Sequence, residues 1–341
     1  MKAAVIPAVN EPWELRDFPI PRPGPGQVLI RVHASGICYN DVLASRGSLP
    51  FPSMRPAVTG HEPVGEVVEV GAGVLSRKVG DRVGVTWVRE GCGRCDYCRL
   101  GLPVTGQTAM NCPAASTTGF TAPGGHAEFM TAGADATVLL PDGLAYELAA
   151  PVMCAGYTAW SALRAGRPEP GDRVAVLGLG ALGHLAVQYA HACGFETVVM
   201  TRSADKHDAA KTLNADFVVS SGEQLRGIGG ADVVLATAPS HPAAAEALGG
   251  LRVNGRLVLA GIDVEAPFSI PSAMQYPFFA QGQSIVGATH GGPALLREAL
   301  DLVANGKVTP MVETFPAARV AEGVDKVARG AVRFRAVVTY A

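Results

Sequence analysis

Apolar and polar residues alternate in short runs through the first part of the chain. Between Val28 and about Val138, runs such as VLIRVHASG, GEVVEVG, DRVGVTW and HAEFMTAG are separated by Gly, Pro and Asp residues that favour turns. Spacing of the helical kind is largely absent from this part. The pattern therefore predicts a compact, barrel-like unit built of β-strands.

The pattern changes at residues 145–163, AYELAAPVMCAGYTAWSAL, which predict a long apolar helix with a break near Pro151. Continuous apolar strands then alternate with amphipathic helices, from strand DRVAVLGLG and helix ALGHLAVQYAHACG to strand SIVGAT and a helix at 293–305. Such alternation predicts a parallel sheet covered by helices on both faces. After Lys307, the runs VTPMVETF and RAVVTY predict a return of the chain to the first domain.

Composition and charge narrow the classes of partner. The 341 residues suit two domains, and 28 basic against 30 acidic residues, without a basic block, give no case for nucleic acid or an anionic membrane. With no charged-then-apolar leader and no long apolar run, we expect a cytoplasmic protein. Seven cysteines, four of them within residues 92–112, favour metal-binding thiolates over disulfides.

A glycine-rich motif follows the first strand of the alternating region. Gly178, Gly180 and Gly183 form G-x-G-x-x-G with Ala181 and Leu182, directly before a predicted helix. In that context the glycines permit a tight turn and close approach of a pyrophosphate to the helix N-terminus. The motif predicts a dinucleotide site, the alternative being glycines that only make a turn.

The end of the next strand distinguishes the two nicotinamide cofactors. An acidic side chain there would bond the ribose 2′-hydroxyl, but Thr201 and Arg202 stand at this place and no Asp or Glu lies between Thr197 and Ala204. A hydroxyl and a guanidinium suit a 2′-phosphate, which favours NADP(H) over NAD(H). The alternative is that Arg202 is only a solvated loop residue.

Four cysteines are spaced as C-x2-C-x2-C-x13-C, at Cys92, Cys95, Cys98 and Cys112. Four thiolates in a loop rich in Gly and Pro predict a closed structural zinc site, which fixes a lobe without a core of its own. An iron–sulfur cluster is the competing interpretation, since it also takes four thiolates.

A catalytic zinc needs three protein ligands and one exchangeable position. The candidates outside the loop are Cys38, Cys154, Cys193 and the eight histidines, among which His61 is followed by Glu62. Asp41, three residues beyond Cys38, is a candidate for orienting an imidazole. Taken singly, each of these residues is more often structural than a metal ligand, and sequence spacing does not bring them together.

Taken together, these motifs resemble the zinc-dependent alcohol dehydrogenase family of the medium-chain dehydrogenase/reductases. The resemblance covers essentially the whole chain, and it rests on GICYND, GHEPVGEVVEVGAGV, VGDRV, the four-cysteine loop, GGHAEF, CAGYTAWSAL, GLGALG and GKVTPMVE. It implies that Cys38, His61 and Cys154 bind the catalytic zinc, with Glu62 as an alternative or transient ligand and Asp41 as the partner of His61.

The resemblance also implies an α/β architecture with a GroES-like, barrel-like catalytic domain formed by both chain ends and a Rossmann domain inserted between them in the sequence. The expected bounds are 1–157, with a zinc lobe at about 90–113, then 158–290 and 291–341. It further implies that Thr158 and Arg335 touch the cofactor, that Trp87 lines the substrate pocket, and that the protein is a homo-dimer or homo-tetramer. Cys193 matches no ligand position, and we expect it to be a core thiol.

The chain departs from alcohol-oxidising relatives at two positions where a hydroxyl residue and a histidine usually relay a proton. Asn40 and Leu43 stand there, and neither titrates near neutrality. The gap between Cys98 and Cys112 is also longer than usual, with the extra segment LPVTGQTAM. The leading hypothesis is an NADPH-preferring zinc enzyme that mainly reduces aldehydes, with Asn40 beside the site. The alternatives are reduction of a conjugated C=C or C=N bond, and a cofactor-binding regulatory protein without turnover.

Overall fold

The computed structural model describes residues 1–99 and 109–340, which divide into two compact units. Unit 1 contains Met1–Cys154, His290–Ala304 and Pro310–Ala341, so it is formed by both ends of the chain. Unit 2 contains Ala155–Thr289 and Asn305–Thr309. The expected domain limits at 157 and 290 stay predictions; in this division Asn305–Thr309, expected within the returning segment 291–341, belongs to unit 2.

Short strands dominate the first part of unit 1, where turn residues interrupt the apolar runs. The strands are β1 Lys2–Val5, β2 Glu14–Asp17, β3 Gln27–Ile37, β4 Pro63–Val70, β5 Arg82–Val85, β6 Val88–Glu90, β7 Ser116–Thr117, β8 Phe129–Gly133 and β9 Thr137–Leu139. Among the described residues of this part, the helices are α1 Tyr39–Ser45, α2 Asp96–Arg99 and α3 Tyr146–Ala149.

Unit 2 is built around one parallel sheet in the order β12-β11-β10-β13-β14-β15. Its strands are β10 Arg173–Leu177, β11 Glu196–Met200, β12 Phe217–Val219, β13 Ala231–Ala236, β14 Leu251–Leu259 and β15 Ser284–Gly287. The helices are α4 Ala155–Gly166, α5 Gly183–Ala192, α6 His207–Thr212, α7 Gly222–Gly227, α8 His241–Ala247 and α9 Ser272–Ala280. This order is that of a doubly wound dinucleotide-binding sheet, which confirms the predicted fold class.

The end of the chain returns to unit 1 through α10 Pro293–Ala304, β16 Val312–Pro316, α11 Val320–Ala328 and β17 Arg335–Thr339. A seven-stranded sheet has the order β16-β17-β3-β4-β5-β9, with β8 also paired to β3. β3 is central because β4 pairs along one edge, while β8 and β17 share the other. Apolar residues of these strands and of α11 pack into one core.

The break that the sequence predicts near Pro151 is confirmed, because a 3-10 turn at Ala150–Met153 separates α3 from α4. Helices α1, α2, α7, α9 and α11 lie where the sequence predicted none. The prediction that Cys193 is a core thiol is wrong. The buried face of α5 ends at Ala190, and Cys193 follows the last helical residue, where its side chain is exposed.

Within the described ranges, 1–99 and 109–340, none of the helices has the length and hydropathy required to span a bilayer.

Candidate active site and metal centres

Cys38 lies at the junction of β3 and α1, where it is the N-cap of the helix. The carboxylate of Asp41, at the third helical position, accepts the backbone N–H of Cys38 at 3.0 Å. This is the reciprocal half of a capping box, which satisfies a donor that the helix leaves free. The spacing of three residues in GICYND therefore fixes the backbone of Cys38 and turns the Asp41 carboxylate back toward it.

His61 follows a glycine with a left-handed backbone, Gly60 at φ 95°, and precedes β4. Its side chain is fully buried, and its Nδ1 lies 3.5 Å from Oδ1 of Asp41. Asp41 thus faces both Cys38 and His61, as the family resemblance implies.

Glu62 and Arg335 form a buried ion pair beside His61. The Nη2 of Arg335 donates to both carboxylate oxygens of Glu62, at 2.6 Å for Oε1. A side chain at Gly36 would overlap the Glu62 carboxylate, so this glycine of β3 makes room for the pair. Burial raises the pKa of Glu62 to about 7, although the charge of Arg335 opposes the shift. The guanidinium expected at the cofactor is engaged with Glu62.

Cys154 directly follows the 3-10 turn and completes a group of four side chains. The ligand atoms of Cys38, His61, Glu62 and Cys154, which we call the buried cluster, all lie within 4.8 Å of one another. Residues separated by up to about a third of the chain are thereby brought together, which sequence spacing did not predict.

The chemistry of the buried cluster fits a zinc ion. Neither imidazole nitrogen of His61 has a hydrogen-bond partner among the described residues, although the ring is fully buried. A hydrogen bond from the Cys154 thiol holds the pKa of Cys38 well below its ordinary value, which favours the thiolate that a metal binds. Two sulfurs, an imidazole and a carboxylate are ligands that suit zinc, and the ion would satisfy the imidazole.

The second group, which we call the four-cysteine lobe, contains Cys92, Cys95, Cys98 and Cys112, whose sulfurs also lie within 4.8 Å of one another. The backbone N–H of Cys95 donates to the sulfur of Cys92 at 3.3 Å, and that of Cys92 donates to Cys112 at 3.4 Å. Backbone N–H groups of Arg94 and Cys95 lower the pKa of Cys92 to about 6. Most of the extra segment LPVTGQTAM lies outside the described residues.

The glycine motif forms the turn between β10 and α5. Gly178 has a left-handed backbone at φ 91°, and a side chain at Gly183 would overlap the carbonyl oxygen of Gly178. A side chain at Gly180 would meet no described atom within 4 Å. The first and third glycines are therefore required by the turn, while the second opens backbone to an approaching ligand, as a pyrophosphate requires.

The residues predicted to select the cofactor follow β11. Thr201 is buried, and its hydroxyl accepts the backbone N–H of Ser203 at 3.2 Å. Arg202 is exposed, and its guanidinium makes no hydrogen bond to another described residue. Thr158 is buried in the first turn of α4.

Aromatic side chains cover one side of His61. The Trp87 indole lies 4.9 Å from the His61 ring, measured between centroids, and Phe120 lies 4.4 Å from Trp87. Trp87 was predicted from the family resemblance, whereas no pattern in the sequence pointed to Phe120. Asn40 is half-buried, whereas its neighbour Tyr39 is 42% exposed.

His126 was also missed as a functional residue, although it lies within the segment GGHAEF. Its ring is fully buried, and its Nε2 lies 3.7 Å from Oδ2 of Asp41. The sequence around His126 does not indicate that a buried carboxylate lies beside it. That proximity is visible only in the folded structure, which brings residues 41 and 126 together.

A doubly wound sheet with a glycine turn, together with a buried cluster of metal-binding side chains, is typical of metal- and dinucleotide-dependent oxidoreductases. Comparison with known proteins makes the class specific. Residues 24–142 match the model of the alcohol dehydrogenase GroES-like domain, and residues 181–305 match that of the zinc-binding dehydrogenase. The chain belongs to the zinc-dependent alcohol dehydrogenase family of the medium-chain dehydrogenase/reductases.

The similarity extends over the whole length of known relatives. An alcohol dehydrogenase from Geobacillus stearothermophilus is 37% identical over 99% of this chain and 99% of its own. The NADP-dependent alcohol dehydrogenase C 1 of Mycolicibacterium smegmatis is 34% identical over 92% and 90%, respectively. The structure of a cinnamyl alcohol dehydrogenase from Sorghum bicolor has a TM-score of 0.88 at 28% identity, covering 99% of this chain and 97% of its own.

Proposed function

We propose that this member of the family is an NADP(H)-preferring zinc enzyme that mainly reduces aldehydes to alcohols. The observation that carries the proposal is the buried cluster, in which Glu62 is held by Arg335. With Glu62 so engaged, Cys38, His61 and Cys154 provide three zinc ligands. The fourth position is then open to a substrate oxygen, as a catalytic zinc requires.

When bound, zinc supplies a Lewis acid for the carbonyl oxygen and the nicotinamide supplies the hydride. The chain's own residues do the rest. Oδ1 of Asp41 lies 3.5 Å from Nδ1 of His61, and acceptance of the Nδ1 proton there would leave Nε2 to bind the metal. Trp87 and Phe120 form an apolar wall beside His61, which excludes water from the reacting group.

The side chains at the relay positions do not set the direction of the reaction. Asn40 is half-buried and can donate an amide N–H to a substrate oxygen, but it does not release a proton near neutrality. Leu43 is buried and offers no polar atom. Aldehyde reduction must deliver to the substrate oxygen the same proton that alcohol oxidation removes, so in either direction this proton would be exchanged with solvent rather than through these two side chains. The reducing direction is proposed from the three-ligand set and from Arg202.

Arg202 supports the NADP(H) preference. Its exposed guanidinium makes no hydrogen bond to another described residue, so it is available to a 2′-phosphate. The Mycolicibacterium relative, which is NADP-dependent by name, supports the same cofactor within the family.

The test measures oxidation of NADPH and NADH with saturated aldehydes, ketones, enals and cyclic imines, with the products identified by mass and NMR. We expect turnover of simple aldehydes with NADPH. Arg202→Ala should raise the KM for NADPH by about 10- to 100-fold, since a hydrogen bond to a charged group contributes about 1.5–3 kcal/mol. The KM for NADH should be unchanged.

The matched control is Arg22→Ala, which removes an exposed arginine from unit 1 and should leave both KM values unchanged. A wild-type preference for NADH would contradict the role of Arg202. Conversion of enals to saturated aldehydes without turnover of simple aldehydes would favour the second candidate, reduction of a conjugated bond. Asn40 and Leu43 are the observation in its favour, because that reaction does not need the usual relay.

The homo-oligomer and the cytoplasmic location also stay predictions. Exposed aromatic side chains on α9 support the homo-oligomer, since Tyr276 is 77% and Phe279 is 81% exposed. Neighbouring apolar side chains that face water often mark a surface for association. We expect sedimentation velocity to give a dimer or tetramer, and Phe279→Asp to increase the share of monomer. Leu75→Asp, at a 98% exposed apolar residue of unit 1, is the matched control and should not. A monomeric wild type contradicts the prediction.

A further inference from the structure

We infer that His126 is a positioning residue, which fixes the Asp41 carboxylate and through it two ligands of the buried cluster, Cys38 and His61. The inference rests on the proposed zinc site. It adds a donor that neither the spacing of the ligands nor the family resemblance assigned.

The two oxygens of Asp41 face different partners. Oδ1 lies 3.5 Å from Nδ1 of His61, whereas Oδ2 accepts the backbone N–H of Cys38 at 3.0 Å and lies 3.7 Å from Nε2 of His126. All three side chains of this group, those of Asp41, His61 and His126, are fully buried. The carboxylate is therefore placed between two imidazoles from separate loops, and its orientation decides how both candidate ligands are held.

The backbone fixes the place of His126. Gly124 donates to the carbonyl of Val58 at 2.8 Å, and His126 donates to that of Thr59 at 3.0 Å, so residues 124–126 run beside the segment that leads into His61. On its other side, the carbonyl of His126 accepts the N–H of Ala4 at 2.7 Å.

Packing fixes the ring itself. A side chain at Gly60 would come within 2.7 Å of Cγ and 2.8 Å of Nδ1 of His126, so only a glycine before His61 lets the two loops approach this closely. The Trp13 indole packs edge-on against the ring, with centroids 5.6 Å apart. The imidazole of His126 has little freedom to turn away from Asp41.

The ring nitrogens of His126 are not engaged in hydrogen bonds within the described part of the chain. Neither ring nitrogen makes a hydrogen bond to a described residue, and an unpaired buried polar group costs about 1–3 kcal/mol. Donation of the Nε2 proton to Oδ2 would satisfy this nitrogen and give Oδ2 a second donor beside the N–H of Cys38, and the present separation of 3.7 Å closes to a hydrogen bond by a shift of less than 1 Å. Hydrogen bonds in sites without their ligands are often long and tighten on binding.

The consequence concerns metal retention. With a donor on Oδ2, the carboxylate plane is fixed and Oδ1 stays directed at His61, so the ligand ring is oriented before metal binds. Groups that orient metal ligands in this way change metal affinity by about 10- to 100-fold when removed. His126 is thus expected to slow the loss of zinc from the buried cluster, with no effect on the four-cysteine lobe.

The experiment compares full-length wild type with two variants. His126→Phe keeps a planar ring but removes both ring nitrogens, and His126→Gln keeps an N–H near the position of Nε2. Zinc release into an excess of a chromogenic chelator is followed over time. Two phases are expected, and Cys154→Ala identifies the one that belongs to the buried cluster. The four-cysteine lobe serves as an internal control within each molecule.

We expect His126→Phe to accelerate release from the buried cluster by about 10- to 100-fold, with the other phase unchanged. His126→Gln should release zinc near the wild-type rate. Cobalt placed in the buried cluster should show a shifted visible spectrum in the Phe variant and a wild-type spectrum in the Gln variant.

Three results would overturn the inference: release from the Phe variant at the wild-type rate, equal acceleration in the Phe and Gln variants, or acceleration of both phases together. The second would assign His126 to packing, and the third to general stability. A wild type that holds zinc only in the four-cysteine lobe contradicts the proposed function itself, and the inference with it.

Discussion

The buried cluster and the four-cysteine lobe use similar donors in different surroundings. The lobe takes its four thiols from residues 92–112, and its sulfurs accept hydrogen bonds from nearby backbone N–H groups. The buried cluster takes its donors from residues 38 to 154 and is supported by the side chains of Asp41 and Arg335. Local backbone suffices for a closed site, whereas an open site needs surrounding side chains to keep its ligands in place.

The donor sets differ in the same way. Four thiolates leave no exchangeable position on zinc, so the lobe can stabilise but cannot bind a substrate oxygen. In the buried cluster, the fourth donor is a carboxylate that already has a partner in Arg335. We therefore expect loss of a ligand from the buried cluster to remove activity. Loss of a ligand from the four-cysteine lobe should instead lower the local stability of the lobe.

The largest effect is expected from Cys154→Ala. Loss of this ligand should lower kcat/KM for aldehyde reduction by about 1000-fold, because a Lewis acid contributes several kcal/mol to the rate. Metal analysis should show a fall from about two zinc ions per chain to about one. The thermal unfolding of the protein should change little by comparison.

Cys193→Ala is the control for this prediction, because Cys193 is an exposed cysteine that belongs to neither cluster. It should keep both zinc ions and full activity. If wild type holds a single zinc that Cys154→Ala retains, the assignment of the buried cluster as the catalytic site is wrong.

A smaller and local effect is expected from Cys95→Ser. Trypsin cleaves after arginine, and the exposed Arg94 and Arg99 flank this part of the lobe. Without the lobe zinc, we expect cleavage at these sites to accelerate by about 10-fold, since the local structure opens more often. The rate is measured by limited proteolysis with identification of the fragments.

The buried cluster should be intact in the same variant, with its zinc still released in its own phase. Protection of Arg94 and Arg99 equal to that of wild type would show that the lobe does not depend on metal. Loss of both zinc ions together would contradict the separation of the two clusters.

Sequence patterns predicted the features that are set by residues close together in the chain. The C-x2-C-x2-C spacing places three thiols of the lobe within seven residues of one another. G-x-G-x-x-G after an apolar run predicts the turn between β10 and α5. Parallel strands such as β10 are buried along nearly their whole length and therefore leave an almost continuous apolar signal.

What the sequence did not predict depends on distant contacts. The approach of His126 to Asp41 and the packing of Phe120 on Trp87 follow from how loops of unit 1 meet, which no local spacing encodes. Helix α9 was missed because it contains Pro277 and buries none of its residues, so it lacks the usual amphipathic signal. For Cys193, the apolar pattern of α5 was extended past the end of the helix.

The separation of Glu62 and Arg335 along the chain has a consequence for folding. The two residues are 273 positions apart, and Arg335 is the first residue of β17, which pairs with one edge of β3. The ion pair therefore forms only once the two distant parts of unit 1 have joined. Under the proposed function, the carboxylate is withdrawn from the buried cluster only in a molecule in which β17 has docked.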